Sequence, residues 1–122
     1  MCIRDRSKLL TSEIGEVKYE GDWYDYDSKY YSNNQITIPA EIDSKITKKI
    51  KEIAIQSCRA LNISGFARVD FFLEKSSNKI LLNEINTIPG FTKSSMFPIL
   101  WEASGLNIDQ LVAKLVEITL DL

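Results

Sequence analysis

Apolar side chains recur between Asp43 and Gly65 at the spacing of one helical face. They are Ile46, Ile50, Ile53, Ala54, Cys58 and Leu61. This spacing predicts an amphipathic helix that buries one side. Asp43 is a good N-cap, and Asn62 or Gly65 can end the helix. Because Cys58 lies on the apolar face, we interpret it as a core residue rather than a reactive thiol.

Strand patterns lie on both sides of this helix. Residues 35–39 predict a short strand that ends at a proline. Residues 66–73 and 80–86 predict two longer strands, and the residues between them, Ser76, Ser77 and Asn78, have the turn chemistry of a β-hairpin.

Two more helices are predicted after the hairpin. The first covers residues 96–103, beginning after Ser95 and ending before Gly105. The second begins at Asn107, with Gln110 as its partner in a capping box. Its apolar positions are Ile108, Leu111, Val112, Leu115, Val116 and Leu120.

Residues 19–31 form an aromatic and acidic stretch, with five tyrosines, one tryptophan and four acidic residues against one lysine. The stretch has neither a helical nor a strand period, so it predicts a long loop. Loops of this length in a compact domain are usually functional or disordered, and so many aromatic residues argue against disorder. The negative charge argues against binding of single-stranded nucleic acid, which needs a positive groove beside the aromatic residues.

Composition narrows the function classes. The chain has 122 residues, 44% of them hydrophobic, and a net charge of −2, which fits one small domain or part of a larger one. It contains no histidine, which excludes a Ser-His-Asp triad and a His-ligated zinc site within this chain. Two cysteines are too few for a disulfide scaffold. With no apolar run near the ~20 residues of a membrane span and no apolar region of a signal peptide, we expect a cytoplasmic protein without a membrane or nucleic-acid partner.

The predicted hairpin carries the strongest chemical signal. Residues two apart in a strand share a face, so Arg68 lies with Asp70, and Glu84 lies with Asn86. If the turn centres on Ser77, Asp70 is opposite Glu84. Two adjacent carboxylates repel unless a cation lies between them, and oxygen ligands suit Mg²⁺. The alternative from spacing alone is a cross-strand ion pair on a solvated face.

The segment after the hairpin turn adds a family resemblance. It reads Leu81-Leu82-Asn83-Glu84-Ile85-Asn86-Thr87-Ile88-Pro89-Gly90-Phe91-Thr92-Lys93-Ser94-Ser95-Met96-Phe97-Pro98. This closely resembles the C-terminal signature of D-alanine–D-alanine ligases, which belong to the ATP-grasp superfamily. Residues 65–72 resemble the preceding strand of that family, and residues 22–30 resemble its mobile loop over the active site.

The resemblance implies a fold and a reaction. The fold is α+β (α/β), an incomplete ATP-grasp C-terminal subdomain in which an antiparallel sheet packs with helices. The reaction joins two D-alanines, for peptidoglycan precursor synthesis, with ATP and Mg²⁺ as cofactors. Two metal ions are expected, and Mn²⁺ is a possible substitute. The first D-alanine becomes an acyl phosphate, which the amine of the second D-alanine attacks.

The resemblance also assigns roles to single residues. Asp70, Glu84 and Asn86 match the metal ligands, and Arg68 matches the arginine that stabilises the tetrahedral intermediate. Gly90 and Ser95 match residues that hold the carboxylate of the second substrate, a role that also suits the start of a helix. Lys29 matches a loop lysine directed at ATP phosphate, Tyr30 matches a tyrosine that ties the loop closed, and Phe72 is expected beneath the adenine. Without the resemblance, Lys29 reads as a solvated side chain and Ser95 as a helix cap.

The resemblance covers only the last third or so of a ligase. We expect residues 1–7 to be a non-native leader and residues 8–122 to be a partial ATP-grasp domain, with the active-site loop at about 19–34. The N-terminal and central domains of the same enzyme are then the missing partners, and the parent enzyme is expected to be a homodimer. The fragment alone is expected to be inactive.

Three other interpretations stay open at this point. A different ATP-grasp ligase would share Asp70, Glu84 and Asn86 but lack the aromatic loop. A ligase that makes D-alanyl-D-lactate would typically lack the Lys29-Tyr30 pair. A non-catalytic interaction module would use the carboxylates only to bind a cation.

Overall fold

The computed structural model describes residues 1–5, 8–18 and 35–120. Four short strands come first: β1 (Cys2–Asp5), β2 (Lys8–Thr11), β3 (Glu16–Lys18) and β4 (Gln35–Thr37). Helix α1 (Ser44–Ala60), the long strands β5 (Phe66–Glu74) and β6 (Lys79–Asn86), and helices α2 (Met96–Ala103) and α3 (Ile108–Leu120) follow. The predicted active-site loop, with Lys29 and Tyr30, lies outside the described residues.

The described strands form two antiparallel sheets. The larger has four strands in the order β2-β1-β5-β6, and the smaller pairs β3 with β4. This arrangement confirms the predicted α+β class, in which an antiparallel sheet packs with helices.

The larger sheet lies between two helical layers because its strands alternate apolar side chains between its faces. On one face Ala54 and Cys58 of α1 pack with Cys2, Leu9 and Ala67. On the other face Ile3 packs with residues of α2 and α3, namely Phe97, Trp101, Leu111 and Ile118. Cys58 is fully buried, which agrees with its assignment to the core.

The helix ends follow the predicted capping chemistry. The Asp43 carboxylate accepts a hydrogen bond of 2.7 Å from the backbone N–H of Lys45. Asn107 and Gln110 cap α3 reciprocally: the N–H of Gln110 donates to Asn107 Oδ1 at 2.9 Å, and the N–H of Asn107 donates to Gln110 Oε1 at 3.0 Å. These bonds satisfy N–H groups that the first turn of a helix leaves without partners.

The first eighteen residues contain strands that the sequence reasoning missed. β1 pairs with β2 and also with β5, so that Cys2 is opposite Ala67 and Ile3 is opposite Phe66. Residues 2–5 are therefore part of the sheet. Pairing within a sheet carries no information on origin, so the non-native leader at residues 1–7 stays a prediction.

Candidate functional site

Strands β5 and β6 place the predicted metal ligands on one face of the sheet. Asp70 is opposite Glu84, and Arg68 is opposite Asn86, which confirms the predicted register. These residues point away from α1, because the alternate residues Val69, Phe71 and Ile85 pack against the α1 core. Their face is the one on which α2 and α3 pack farther along the sheet.

The register arises in a different way from the one expected. The hairpin turn lies between Glu74 and Lys79, so it does not centre on Ser77. Phe71 is opposite Leu82, whereas Asp70 is opposite Glu84, which leaves Asn83 as an extra residue in a β-bulge. The bulge moves the register by one residue and so restores the pair that a turn centred on Ser77 would give.

Arg68 lies between the two carboxylates. Its Nε donates to both carboxylate oxygens of Asp70 at 3.0 Å. Its Nη2 is 2.9 Å from Asp70 Oδ2 and 2.9 Å from Glu84 Oε1. The Nη1 amine takes no part in these contacts, and a guanidinium has donors there for a further acceptor.

The carboxylates also determine the charge state of this arginine. Burial acts to lower the pKa of Arg68, but the hydrogen bonds and negative charges of Asp70 and Glu84 outweigh it, so that the pKa is raised. Arg68 is therefore a permanent cation at every physiological pH. The face thus contains the cross-strand ion pair that was the alternative interpretation, together with side chains that suit a metal.

The donor set fits a hard divalent cation. Asp70 and Glu84 supply carboxylate oxygens, and their side chains are 34% and 46% exposed, so a cation in solution has access to them. Asn86 Oδ1 accepts the backbone N–H of Ile88 at 2.9 Å, which holds its side chain at the end of β6. An amide oxygen has a second lone pair for a metal. Within residues 1–5, 8–18 and 35–120, no three acidic or cysteine side chains cluster as a metal centre.

An apolar surface adjoins the carboxylates on the same face. Phe72 pairs with Leu81 one step nearer the hairpin turn, and the two side chains are 53% and 44% exposed. A flat exposed aromatic ring beside a cation site suits a planar ligand such as a nucleobase. The role of Phe72 beneath an adenine stays a prediction.

Gly90 and Ser95 meet in the loop that leads into α2. The Ser95 hydroxyl accepts the backbone N–H of Thr92 at 2.9 Å and lies 2.8 Å from Thr92 Oγ1. Ser95 is the N-cap residue of α2, but within the described residues its side chain makes no capping bond to the helix. A Cβ atom added to Gly90 would lie 2.9 Å from Ser95 Oγ. Glycine is therefore needed at position 90 for the close approach of these two residues.

Strands β3 and β4 form a stem on either side of residues 19–34. Lys18 pairs with Gln35 at the far end of the stem. The N–H of Ala40 donates to the carbonyl of Ile14 at 2.7 Å at its base. Gly15 packs closely on α2, because a Cβ there would lie 2.8 Å from Met96 Cε. The stem is thus positioned by the helix that Ser95 precedes.

An open cleft of about 1810 Å³ connects these parts. Its lining includes Arg68, Asp70 and Asn86 from the hairpin, Gly90 and Ser95 from the loop before α2, and residues 12–18 from the stem. Within the described residues, the predicted site residues of the hairpin and of the loop thus share one cavity, except for Glu84, which is not part of its lining.

Three elements of the site were not predicted from the sequence: strand β3 of the stem, the hydroxyl group of Thr92 and the bulge at Asn83. The other strand of the stem, β4, confirms the strand predicted within residues 35–39. The bulge has a signal in the sequence, because Ile80 and Leu82 on the α1 side of the sheet have even numbers, whereas Ile85 on the same side has an odd one. That change of parity within one strand is what a single extra residue produces.

The family model and the relatives found by sequence comparison agree on one family. The family model described as "D-ala D-ala ligase C-terminus" matches residues 1–117, a range that includes the expected leader. A protein named D-alanine–D-alanine ligase from Prochlorococcus marinus strain MIT 9215 is 87% identical over 116 residues, which are 95% of this chain and 33% of that protein. The ligase of strain NATL2A is 52% identical over 117 residues.

Solved structures agree with the sequence relatives. The D-alanine–D-alanine ligase from Coxiella burnetii has a TM-score of 0.80 and 37% identity, and the match covers 98% of this chain and 31% of that one. The VanG D-Ala:D-Ser ligase from Enterococcus faecalis has a TM-score of 0.81 and 36% identity, covering 96% and 34%. The chain thus spans about a third of the length of the relatives that it matches. Among the described residues, no helix is both long and apolar enough to span a bilayer.

Proposed function

The chain belongs to the D-ala D-ala ligase C-terminus family, and on this basis we propose that its parent enzyme joins two D-alanines with ATP and Mg²⁺. The observation that carries the proposal is the contact of the Arg68 guanidinium with both Asp70 and Glu84. That contact puts a permanent cation and two solvent-accessible carboxylates on one face of the sheet, and Arg68 and Asp70 also line the cleft.

Arg68 is proposed to stabilise the tetrahedral intermediate. When an amine attacks an acyl phosphate, negative charge develops on the former carbonyl oxygen. A fixed donor aimed at that oxygen lowers the barrier, because it needs no reorganisation during the reaction. Asp70 and Glu84 hold the guanidinium through Nε and Nη2, which leaves Nη1 to donate to the substrate oxygen.

Asp70, Glu84 and Asn86 are proposed to hold the magnesium. A bound divalent cation would neutralise charge on the phosphate oxygens of ATP. The exposed ring of Phe72 next to these ligands would support the adenine, and Lys29 would contact the ATP phosphates. Whether one or two ions bind, and whether Mn²⁺ replaces Mg²⁺, are parts of this proposal.

Ser95 and Gly90 are proposed to position the carboxylate of the second substrate. The Ser95 hydroxyl accepts a hydrogen bond from the Thr92 N–H. When the Thr92 hydroxyl is the donor in its 2.8 Å contact with Ser95, the proton of Ser95 is available for a substrate oxygen. Ser95 directly precedes α2, so the positive N-terminal end of this helix would also attract the substrate carboxylate. Tyr30, together with Lys29, favours D-alanine over D-lactate as the second substrate.

The proposed setting of the parent enzyme follows from the same family. We propose a cytoplasmic ligase of peptidoglycan precursor synthesis that acts as a homodimer and has no nucleic-acid or membrane partner. Its other partners are the N-terminal and central domains of the same enzyme.

A chimaeric ligase tests the proposed function. In this chimaera the matched 116 residues of this chain replace their counterparts in the Prochlorococcus marinus MIT 9215 ligase. We expect phosphate release that depends on both ATP and D-alanine, and its loss when Asp70 is changed to Asn. An intact, correctly folded chimaera without this activity would favour the non-catalytic, cation-binding interpretation.

A competition assay on the same chimaera tests the second substrate. With D-alanine, D-serine and D-lactate present together at neutral pH, we expect the D-alanyl-D-alanine product to predominate. D-serine is included because one structural relative is named a D-Ala:D-Ser ligase. Predominant depsipeptide would show that the Lys29-Tyr30 pair was misinterpreted.

A further inference from the structure

Helix α3 carries apolar side chains on two adjoining faces. One face packs in the core through Leu111 and Ile118, which are 0% and 4% exposed. The other face is solvent-accessible in this chain. It comprises Ile108, Val112, Val116 and Leu120, whose exposed fractions are 41%, 45%, 53% and 80%. We call these four residues the α3 stripe.

The arc of these side chains is wider than a surface helix requires. Residues four apart lie one above the other on a helix, so the stripe follows one side of α3 along its whole length. At 3.6 residues per turn, the arc from Ile118 to Leu120 covers about 200° of the circumference. Thr119 and Asp109 are the polar residues within it. A surface helix typically needs about 100°. An arc of this width is typical of a helix that is covered on two sides.

We propose that the α3 stripe is the surface on which the remaining two-thirds of a full-length ligase packs. This inference rests on the proposed function, which makes the chain part of a longer enzyme. The chain spans 33% of the MIT 9215 ligase and 31% of the Coxiella burnetii ligase. Most of each relative thus lies outside the matched region and is available to cover the stripe.

The size of the stripe favours an intramolecular occupant over a second copy of this chain. Helix α3 has 13 residues and is therefore about 20 Å long. With a helix diameter of about 10 Å, one side offers roughly 200 Å², far below the ~800 Å² per partner of a stable interface. A covalently linked domain does not lose the translational freedom that makes a large area necessary.

Paired substitutions in two contexts test the proposal. Val112→Lys with Val116→Lys changes the stripe and adds two positive charges. The control, Ala113→Lys with Glu117→Gln, adds the same charge at exposed positions outside the stripe. In the chimaeric ligase we expect the first pair to lower Tm by roughly 5–10 °C relative to the control. In the 122-residue chain neither pair is expected to change Tm by more than a few degrees, because all four positions are accessible to solvent. The Lys114–Glu117 ion pair that the control removes is at the surface and contributes little.

Each outcome either supports the proposal or overturns it. An unchanged Tm of the chimaera would show that the stripe faces solvent in the longer enzyme. A dimer of the isolated chain that the lysine pair dissociates would make a second copy the occupant. If the lysine pair prevents folding of the chimaera, Val112→Thr with Val116→Thr should still lower its Tm relative to the control. A chimaera without ligase activity that nevertheless loses stability would reject the proposed function and leave the packing surface intact.

Discussion

The Arg68 side chain contributes both to structure and to the proposed catalysis, and substitution separates the two. In the chimaeric ligase, Arg68→Ala should lower turnover by ~10²–10³, because removal of one oxyanion donor typically costs roughly 3–4 kcal/mol. The KM for ATP should change far less. Arg68→Lys should restore only part of the rate, because a lysine lacks the planar fork that contacts Asp70 and Glu84 together.

The control for Arg68 is thermal stability measured on the same samples. Arg59→Ala removes an exposed arginine from the last turn of α1 and should leave both turnover and Tm unchanged. If Arg68 is only part of a structural ion pair, Arg68→Ala will lower Tm while turnover stays near normal. That result would remove Arg68 from the mechanism.

Gly90 acts through Ser95, and a double-mutant cycle can show it. A methyl group at position 90 would lie 2.9 Å from Ser95 Oγ and would displace the hydroxyl from the Thr92 N–H. Gly90→Ala and Ser95→Ala should each raise the KM for the second D-alanine by roughly 10- to 100-fold, the effect of a lost hydrogen bond to a charged group of about 1.5–3 kcal/mol. The double variant should be no worse than Ser95→Ala alone.

Ser94 provides the matched control. Its hydroxyl lies 3.2 Å from Thr92 Oγ1, but it does not touch Gly90 in the way that Ser95 does. Ser94→Ala should therefore leave the KM for the second substrate nearly unchanged. Additive effects of the Gly90 and Ser95 substitutions would contradict a role of Gly90 through Ser95.

Strand β6 should tolerate deletion of Asn83 better than deletion of the preceding residue, Leu82. Deletion of Asn83 leaves a regular ladder in which Leu82 is still opposite Phe71 and Glu84 is still opposite Asp70. Deletion of Leu82 instead moves Asn83 into the position opposite Phe71 and removes a leucine side chain that is 45% exposed. Loss of its buried part costs about 1 kcal/mol, so Tm should fall by roughly 4–6 °C.

Circular dichroism of the two deletion variants of the isolated chain checks this prediction. The Asn83 deletion should melt within a few degrees of the parent chain. Equal losses in the two variants would mean that the bulge itself stabilises the hairpin, through its local twist or its unpaired backbone groups.

The elements differ in how far their sequence determines them. The helices were predictable because their apolar periods and caps are local, as Asp43 and the Asn107–Gln110 pair illustrate. The strands β1 to β3 have three or four residues each, too few for a period to be recognised. They exist because they pair: β2 with β1, β1 also with β5, and β3 with β4. The pairings with β5 and β4 join segments far apart in the sequence, which a local pattern cannot reveal.

The shared face of the site was predicted correctly, although the turn centre from which it was inferred is wrong. The prediction places the turn centre at Ser77, which is half a residue too far along the chain. The extra residue in the bulge, Asn83, compensates for this error and puts Arg68, Asp70, Glu84 and Asn86 on one face. The contact of Gly90 with Ser95 depends on the path of the loop between them, which spacing alone does not determine. The roles of all these residues come from the family resemblance and stay predictions.

For the whole molecule, we predict that the isolated chain makes no D-alanyl-D-alanine. The cleft contains residues proposed for the metal, the intermediate and the second substrate. We expect the regions that grip the nucleotide and the first D-alanine to lie in the two-thirds of the relatives that this chain does not span. Phosphate release from the purified chain, with ATP and D-alanine present, measures this directly. Release that also requires Asp70 would contradict the prediction.

The position of Arg68 determines whether the hairpin can fold before a metal ion binds. Two neighbouring carboxylates would oppose formation of the hairpin if their charges were uncompensated, yet here the compensating cation is encoded in the chain itself. Small zinc domains, by contrast, remain unfolded until the metal arrives. The hairpin therefore does not need magnesium to fold, and chelators should inhibit the parent enzyme without unfolding it, which circular dichroism with and without a chelator measures.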